Sequence, residues 1–525
     1  MANEAVSIFN DVLGPVMIGP SSSHTAGPGR IGKVAYMLLQ DEPQKIEISF
    51  EEGGGYPLTY KSQGSDYGFV GGIQGIDVWD ESLKTSLEQA KEKGIEVNFL
   101  IVPATHNSHP NFSKIHVVGK RGGSVTIEAN SIGGGMFEVT KFEEFPTLIQ
   151  GACYQVFAIC DNEKAVLQIN EILVKHSVIA DTRTTKGKEQ RTLLNVMTEK
   201  RLADEILNEI RNVYGVDLRE VMPVLPVVKR KNAKVPFRTA EEAAACFTEG
   251  KQLWELACEY EEAISGKSRE EILSMMKEIG MMMKDSALKA LEGKYEPRGF
   301  LPPQTAQIAK NMEKTNRERY LDLGLLNNAV LWSTAMMEYD ICRGRTVAAP
   351  TGGSCGVIPG AVVSIGEAIG KDWDEIAKAL MAAGLIGVFV AHQASFGGEV
   401  YGCQAEMGSA SAMAAAGVIQ LFNGTAEEGF RAASLALQNM MGLICDPVAG
   451  VGNVPCVSRN SMGTSNSVIS ANMVMNGFDP FIPLGETIDC MREVGSNMSP
   501  KHLCTGEGGL CATKTGKRIL EKLGY

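Results

Sequence analysis

The sequence lacks a surplus of basic residues, an N-terminal secretion signal and an apolar run long enough to span a bilayer. Its 525 residues include 50 basic and 62 acidic side chains, for a net charge of −12. Nucleic acids and anionic membrane surfaces repel such a chain, so we expect neither as a partner and favour a small molecule. Residues 1–15 have no basic n-region and no apolar h-region, which predicts a cytoplasmic protein. The apolar run 379–391 is too short for a membrane span and predicts a buried helix.

Closely spaced metal ligands are also missing. None of the 12 cysteines stands in a C-x-x-C pair or beside a pair of histidines, so a structural zinc site fits poorly. In a reducing compartment the cysteines are not a disulfide framework, which leaves packing or thiolate chemistry. Three dispersed thiolates suit an iron–sulfur cluster in which one iron has no protein ligand. Spacing alone does not decide between such a cluster and simple packing of the cysteines. Four cysteines stand beside glycine or proline, where a metal can approach: Cys355, Cys403, Cys445 and Cys456.

Local composition and hydrophobic pattern divide the chain into three regions, in line with the three or four domains expected from its length. Residues 1–148 alternate short strand-like runs with glycine and asparagine, which predicts an α+β domain. Residues 231–525 contain Ala- and Met-rich runs such as SASAMAAAGVIQLF, which are apolar nearly all round and predict an all-α domain. Helix starts there pair an N-cap oxygen with a carboxylate three residues later, at Thr239, Ser268, Asp372 and Thr425.

The middle region, residues 149–230, has its own pattern. Predicted strands at 154–160, 178–185, 190–197 and 218–228 surround predicted helices at 163–176 and 201–214, the ferredoxin-like order. The region resembles an ACT domain, a regulatory module that often binds amino acids. Its first loop, 161–163, lacks the glycine that many such modules carry. Ligand binding and a spacer or dimerisation role therefore both stay open. The basic stretch 229–236 predicts a linker to the all-α domain.

Five long motifs resemble a known enzyme family. They are GPSSSHTAGP (19–28), SIGGG (131–135), APTGGSCGVIPG (349–360), GCQAEMGSASAMAAAG (402–417) and CDPVAGVGNVPC (445–456). Together they resemble the iron–sulfur-dependent L-serine dehydratases, in the branch with an ACT-like module between two large domains. The resemblance implies a lyase of amino-acid metabolism and gluconeogenesis that converts L-serine to pyruvate and ammonia. It also implies a homodimer, and a [4Fe–4S] cluster held by Cys403, Cys445 and Cys456.

The same resemblance implies how the substrate is held. Hydroxide is a poor leaving group, so a Lewis acid, here the open iron, must take the β-hydroxyl oxygen. Hydroxyl and amide groups must hold the carboxylate. His24 can hydrogen-bond the substrate or shuttle a proton near neutral pH, with a capping or packing role as the alternative. The implied catalytic residues are His24 and Ser23. The implied substrate-binding residues are Ser21, Ser22, Ser23, Thr25, Thr351, Gly352 and Gly353.

Several positions depart from the family pattern. Gln63, in KSQGSD, stands where typical members have a histidine that is often assigned as acid or base, and glutamine cannot accept a proton. Leu503 and Cys504 replace an Arg-Glu pair, and Glu338 followed by Asp340 stands where an asparagine is common. Two alternatives therefore stay open. One is a lyase for another small β-substituted acid, such as cysteine or threonine, and the other is a catalytically silent amino-acid sensor.

Two further hypotheses concern the cofactor. In one branch of the family the chain ends in a cysteine that fills the open iron site when substrate is absent. Cys511, in GGLCAT, is the candidate for that role here, with packing as the alternative and Cys504 as the other nearby sulfur. A pyridoxal phosphate lyase is disfavoured, because Lys114 lies in a strand pattern and too close in sequence to Gly133 for a lyase domain to enclose the cofactor.

Overall fold

The computed structural model describes residues 5–105, 109–188, 191–230, 233–247, 250–313 and 321–523. An α+β N-terminal region, a small middle sheet and a helical C-terminal region follow one another, as the sequence predicts. Two predicted features fall partly outside the described residues. The linker 229–236 includes residues 231–232, and the strand predicted at 190–197 begins at residue 190.

The N-terminal region is built on a six-stranded sheet. Its elements are β1 (Val16–Ile18), α1 (Gly27–Leu39), β2 (Pro43–Glu51), α2 (Tyr56–Thr59), α3 (Ser65–Ile73), α4 (Ser86–Glu92), β3 (Glu96–Val102), β4 (Phe112–Gly119), β5 (Ser124–Gly133), β6 (Met136–Phe142) and β7 (Phe145–Ile149). The strand order is β3-β2-β4-β5-β6-β7, and only the β2–β3 pair is parallel. Alternate residues, such as Ile115 and Val117 of β4, face the core beneath α1.

The middle region forms a four-stranded antiparallel sheet with two helices. Its elements are β8 (Tyr154–Cys160), α5 (Glu163–Lys175), β9 (Asp181–Lys186), β10 (Thr192–Thr198), α6 (Asp204–Arg211) and β11 (Val216–Val221). The strand order β11-β8-β10-β9 gives the ferredoxin-like topology expected from the sequence. One face of the sheet packs on α5 and α6, and Phe157, Ile159 and Leu193 on the other face join the core of the N-terminal region.

Over its described residues, the C-terminal region is helical apart from one short strand. Its elements are α7 (Ala240–Ala244), α8 (Leu253–Ser265), α9 (Arg269–Glu292), α10 (Thr305–Glu313), α11 (Leu325–Ile341), β12 (Arg345–Val347), α12 (Ser364–Ala368), α13 (Trp373–Gln393), α14 (Gly398–Tyr401), α15 (Ser409–Leu421), α16 (Ala426–Gln438), α17 (Cys456–Met475), α18 (Leu484–Ser496) and α19 (Lys514–Leu523). Every residue of α15 is buried, which makes it the central helix. Among the described residues, α13 alone is long and apolar enough to cross a membrane, and 78% of its most apolar window is buried inside the protein.

Several contacts join the first residues of the chain to the helical region. Strand β1 pairs with β12 in an antiparallel ladder, Val16 opposite Val347. A helical turn, Ile8–Val12, packs into the helical core, with Ile8 against Gly384 and Val12 against Gly387 of α13. Both positions lack a Cβ, which allows this close approach. The ladder holds the N-terminal and helical regions together directly before residues 19–28 and 349–360, which carry two of the sequence motifs.

Candidate active site and metal centre

Two cysteine thiols and one carboxylate form a compact group. The Sγ atoms of Cys403 and Cys445 and a carboxylate oxygen of Glu406 all lie within 4.8 Å of one another. Glu406 Oε2 is 3.8 Å from Cys403 Sγ. A Cβ on Gly398 would lie 3.1 Å from Cys445 Sγ and 2.8 Å from Glu406 Oε2, so a glycine is needed beside this group. We call Cys403, Glu406 and Cys445, together with Cys456 and Cys504, the thiol pocket.

Cys456 is the first residue of α17 and lies outside the 4.8 Å group. Its thiol is still close enough to Cys403 for a charge on Cys403 to raise its pKa. Arg459, one turn along α17, points a guanidinium nitrogen at Cys403 Sγ from 3.7 Å and pairs with Asp446 at 2.8 Å. The start of α17 therefore supplies both a third thiol and a positive charge to the thiol pocket.

The thiol pocket has the chemistry of a metal site. The neighbouring thiols of Cys403 and Cys504, together with burial, raise the pKa of Cys445 well above its usual value. Burial, followed by the charge of Cys403, raises the pKa of Cys456 in the same direction. Several buried thiolates cannot ionise side by side unless a cation neutralises them. The donor set is soft and rich in sulfur, which fits zinc or an iron–sulfur cluster.

The two C-terminal cysteines differ in their contacts. The strand-like pairing of Cys445 with Leu503, with Cys504 N–H donating to Cys445 C=O at 2.9 Å, places Cys504 beside the pocket. The Cys504 thiol lies close enough to that of Cys445 to raise the pKa of Cys445, after the larger effect of Cys403. Cys511, in contrast, donates its thiol hydrogen to the carbonyl of Pro447 at 3.0 Å, and burial raises its pKa to about 11.

The predicted substrate-binding residues form two loops, a first substrate loop at residues 21–25 and a second substrate loop at residues 351–353. The two loops contact each other where the N-terminal region meets the helical region. Residues Ser22–Ala26 form a wide helical turn capped by Ser21, whose hydroxyl accepts from His24 N–H at 3.0 Å. Gly352 N–H donates to Ser22 Oγ at 3.2 Å. A Cβ on Gly352 would lie 3.0 Å from the carbonyl oxygen of Pro20, so the contact depends on glycine. All the predicted substrate-binding residues belong to these two loops.

His24 lies at the centre of the first loop. Its Nδ1 is 2.9 Å from Ser23 Oγ, and its ring packs edge-on against Tyr56 at 5.3 Å between centroids. Burial lowers the pKa of His24 to about 4, so the ring is neutral at neutral pH. On the same side, Asn111 Nδ2 is buried without a hydrogen-bond partner among the described residues. An unpaired buried donor beside a neutral imidazole is suited to a polar ligand.

Glu406 was not singled out from the sequence, although it lies in the GCQAEMG motif. Its Oε1 accepts the hydroxyl hydrogen of Thr351 at 2.9 Å, while its other oxygen faces Cys403. Burial, reinforced by Glu399, raises the pKa of Glu406 to about 7. The signal available in the sequence was a carboxylate three residues after a predicted thiolate ligand. This carboxylate links the second substrate loop to the thiol pocket.

Asn460 of α17 is a second residue that the sequence did not reveal. Its Nδ2 donates to Gly353 C=O at 2.8 Å and its Oδ1 accepts from Gly356 N–H at 3.0 Å. It lies one helical turn beyond Cys456, so one helix fixes both the thiol and the loop. Cys355, inside that loop, is fully buried against Met337 and Ile341 and packs there.

The positions that depart from the family pattern have different surroundings. Gln63 lies at the edge of the site. Its backbone carbonyl accepts from Thr25 Oγ1 at 2.7 Å, and its side-chain amide donates to Gly450 C=O at 3.3 Å. Glu338 accepts three hydrogen bonds from Gln304 and Thr305 and stabilises the start of α10. Asp340 is fully buried, accepts from Thr346, and has its pKa raised by burial. Gln63 adjoins the first substrate loop through Thr25, and the Asp340 carboxylate lies against Gly19 just before that loop, where a Cβ on Gly19 would be 2.6 Å from Asp340 Oδ1.

Comparison with known proteins shows to which family the chain is similar. The family model "Serine dehydratase alpha chain" matches residues 248–511. The probable L-serine dehydratase alpha chain of Bacillus subtilis is 37% identical over 260 residues, which cover 50% of this chain and 86% of that protein. The probable beta chain of the same organism is 36% identical over 214 residues, 40% of this chain and 94% of that protein.

A third relative spans nearly the whole chain. The L-serine dehydratase of Haemophilus influenzae is 24% identical over 529 residues, covering 96% of this chain and 98% of that protein. The chain thus aligns with separate alpha and beta proteins and with a single long one. It belongs to the L-serine dehydratase family, with parts related to the alpha and beta chains fused in one polypeptide.

Proposed function

We propose that this protein is a [4Fe–4S]-dependent lyase that converts L-serine to pyruvate and ammonia. One observation carries the proposal: a hydrogen-bonded path leads from the first substrate loop to the thiol pocket. Ser22 contacts Gly352, and the adjacent Thr351 contacts Glu406, which faces Cys403. The names of the relatives, which are L-serine dehydratases, support the same substrate.

Cys403, Cys445 and Cys456 would hold the cluster, since the three thiols lie close together and the pKa values of Cys445 and Cys456 are raised, so that a cation would favour their thiolate forms. When bound, the cluster would supply a Lewis-acidic iron for the β-hydroxyl oxygen of the substrate. The guanidinium of Arg459, directed at Cys403 Sγ, would offset part of the negative charge of the thiolates.

The protein's own groups would bind and orient the amino acid. The hydroxyls of Ser21, Ser23 and Thr25 and the amides around Gly352 would hold the carboxylate. His24 stays neutral because it is buried, so the ring nitrogen that does not contact Ser23 can accept a proton. Overall, serine loses its Cα proton and its hydroxyl as water, and the resulting enamine yields pyruvate and ammonia by tautomerisation and hydrolysis.

A fourth thiol completes the proposed ligand set. We propose Cys504 for this role, because its backbone N–H donates to Cys445 C=O and its thiol lies close to the Cys445 thiol. The hydrogen bond from Cys511 to Pro447 supports the packing alternative for Cys511, which the sequence had offered as the fourth ligand. Cys504 would be the ligand that leaves when substrate approaches.

The remaining sequence-based expectations also stay proposals. We propose a cytoplasmic homodimer with no nucleic-acid or membrane partner. The ferredoxin-like middle region would act as an ACT-like module, either regulatory or dimer-forming.

Anaerobic purification followed by iron and sulfide analysis and a substrate assay tests the proposed function. We expect about four irons and four sulfides per chain, and turnover of L-serine above that of threonine or cysteine. Preference for cysteine or threonine would favour a lyase for another β-substituted acid. A loaded cluster without turnover of any of the three would favour the sensor. A protein without iron or sulfide would refute the cluster.

A further inference from the structure

Arg343 has a left-handed backbone conformation just after the end of α11. Its φ is +59°, its N–H donates to Asp340 C=O at 2.9 Å, and Gly344 N–H donates to Tyr339 C=O at 2.7 Å. These two hydrogen bonds form a Schellman motif in which Arg343 occupies the left-handed position. Glycine is the usual residue there, because a side chain crowds the backbone in this conformation. An arginine at this position costs backbone strain, so its side chain is the feature to explain.

The Arg343 side chain reaches across to the N-terminal region. Its guanidinium lies over the ring of Tyr67 in α3, 4.0 Å from the ring centroid, and donates to the backbone carbonyl of Lys84 at 3.3 Å. A cation is attracted to the face of an aromatic ring, and more strongly where water is excluded, as it is around the buried Tyr67. Burial raises the pKa of Asp66 to about 6, and the charge of Arg343 opposes that rise, so the cation also has an acidic neighbour.

Tyr67 in turn contacts a residue just before the first substrate loop. Its hydroxyl donates to Gly19 C=O, and Gly19 N–H donates to Gly344 C=O at 3.0 Å. Both backbone polar groups of Gly19 are therefore held, one by Tyr67 and the other by the neighbour of Arg343. A Cβ on Gly19 would lie 2.1 Å from the carbonyl oxygen of Asp340, so the chain passes directly against the end of α11. We call Gly19, Tyr67, Arg343 and Gly344 the Gly19 clamp.

The first substrate loop begins two residues after Gly19, and α3 also contacts its other end. A Cβ on Gly68, the residue after Tyr67, would lie 2.6 Å from the carbonyl oxygen of Thr25. We propose that Arg343 is a positioning residue: by stacking on Tyr67 it holds the Gly19 carbonyl and so orients the first substrate loop. Its effect on the reaction rests on the function proposed above, whereas its effect on the order of the loop does not.

Hydrogen–deuterium exchange on the full chain, read by mass spectrometry, tests the order of the loop without substrate. Arg343→Gly removes the side chain and suits the left-handed conformation, so the turn itself should be retained. Tyr67→Phe removes only the hydroxyl that holds Gly19. In each variant we expect residues 19–28 to exchange about fivefold faster, as a lost contact of this strength allows.

Gln40→Gly is the matched control for the exchange experiment. Gln40 also has a left-handed conformation, with φ of 53°, but it caps the end of α1. Exchange of residues 19–28 should match the wild type in this control. Unchanged exchange in both Arg343→Gly and Tyr67→Phe would overturn the proposal. Acceleration spread equally over the whole chain would overturn it too, because it would indicate general destabilisation.

Anaerobic kinetics test whether the order of the loop matters for the reaction. We expect KM for L-serine to rise about fivefold in Arg343→Gly and in Tyr67→Phe, with a smaller change in kcat, because the loop would hold the carboxylate, which does not react. The double variant should be no worse than Tyr67→Phe alone, since both residues act through one contact. Fully additive effects, or unchanged KM in both single variants, would overturn the positioning role. A wild type without turnover would refute the proposed function, and the exchange experiment would still decide the clamp.

Discussion

Glu406 contacts both parts of the candidate site through its two carboxylate oxygens. One oxygen accepts from Thr351 in the second substrate loop and the other faces the Cys403 thiol. The Thr351 hydroxyl also lies 3.1 Å from Ser354 Oγ, so the loop has a defined geometry. The second substrate loop and the thiol pocket are therefore coupled through one hydroxyl.

Replacing Thr351 with valine tests that coupling. Valine keeps the shape of threonine but removes the donor to Glu406, and a hydrogen bond to a carboxylate is worth about 1.5–3 kcal/mol. We expect kcat/KM for L-serine to fall about tenfold or more while iron content stays unchanged. Thr334→Val is the control, since Thr334 hydrogen-bonds Val330 and Ser461 on α11 and α17 instead. Unchanged kcat/KM in a folded Thr351 variant would show that the contact is incidental.

Cys504 and Cys511 form a matched pair of variants for the fourth thiol. In Cys504→Ala we expect the electron paramagnetic resonance spectrum of the proposed cluster, taken after one-electron reduction to its paramagnetic state, to change and iron to be lost faster in air, because an exposed iron is unprotected. Cys511→Ala removes a buried thiol that donates to the carbonyl of Pro447, and should leave both readouts as in the wild type. The reverse result would assign the role to Cys511.

The residues of the site differ in how far the sequence could reveal them. Cys403, Ser22 and Gly352 stand in glycine-rich motifs, where chemistry and loop geometry coincide, and the structure brings them to one place. Asn460 stands in a helix whose pattern is unremarkable, and its role depends on a loop 107 residues away in sequence. A hydrogen bond between residues so far apart in sequence leaves no local sequence pattern from which it could be predicted.

At the scale of elements, helix starts were the most predictable feature. Capping boxes are present at Thr239, Ser268, Asp372 and Thr425, with both hydrogen bonds in each. The strand β8 has the predicted bounds, while β11 ends at Val221 rather than at residue 228. The ladder of β1 with β12 was not anticipated, because three residues show no periodicity and their partners are distant.

The capping box of α9 gives a stability prediction. Ser268 Oγ accepts from Glu271 N–H at 3.3 Å, and Ser268→Ala should lower the free energy of unfolding by about 1 kcal/mol, as is usual for a lost N-cap. The control is Ser274→Ala, an exposed position inside the same helix, where alanine is neutral or slightly favourable. Thermal unfolding of both variants compares them. Equal melting temperatures would mean that the cap contributes little.

At the scale of the whole molecule, a buried carboxyl anchors the first residues of the chain to the helical region. Glu261 of α8 accepts from Ser7 Oγ at 2.6 Å and from Ile8 N–H at 2.9 Å. Burial raises its pKa from 4.5 to about 7, with Asp11 acting in the same direction and Lys229 opposing it. The folded protein therefore keeps a proton on Glu261 at pH values where the unfolded chain has lost it.

The sign of the resulting pH dependence follows from linkage. A carboxyl with a raised pKa in the folded state stabilises the fold below pH 4.5, and this contribution is lost as the pH rises towards about 7. As the pH rises from 4.5 to about 7, the melting temperature of the wild type should therefore fall relative to that of Glu261→Gln, because glutamine does not titrate. Parallel curves for the two proteins would show that Glu261 keeps an ordinary pKa.

The ladder of β1 with β12 also has a consequence for how the protein is made. Val16–Ile18 and Arg345–Val347 are separated by more than 300 residues of sequence. At a synthesis rate of about 5–20 residues per second, the first strand waits roughly a quarter of a minute to a minute for its partner to leave the ribosome. Throughout that time the edge of β1 is open to other chains. A nascent chain of this protein therefore has its first strand without its native partner until the second half of the chain arrives.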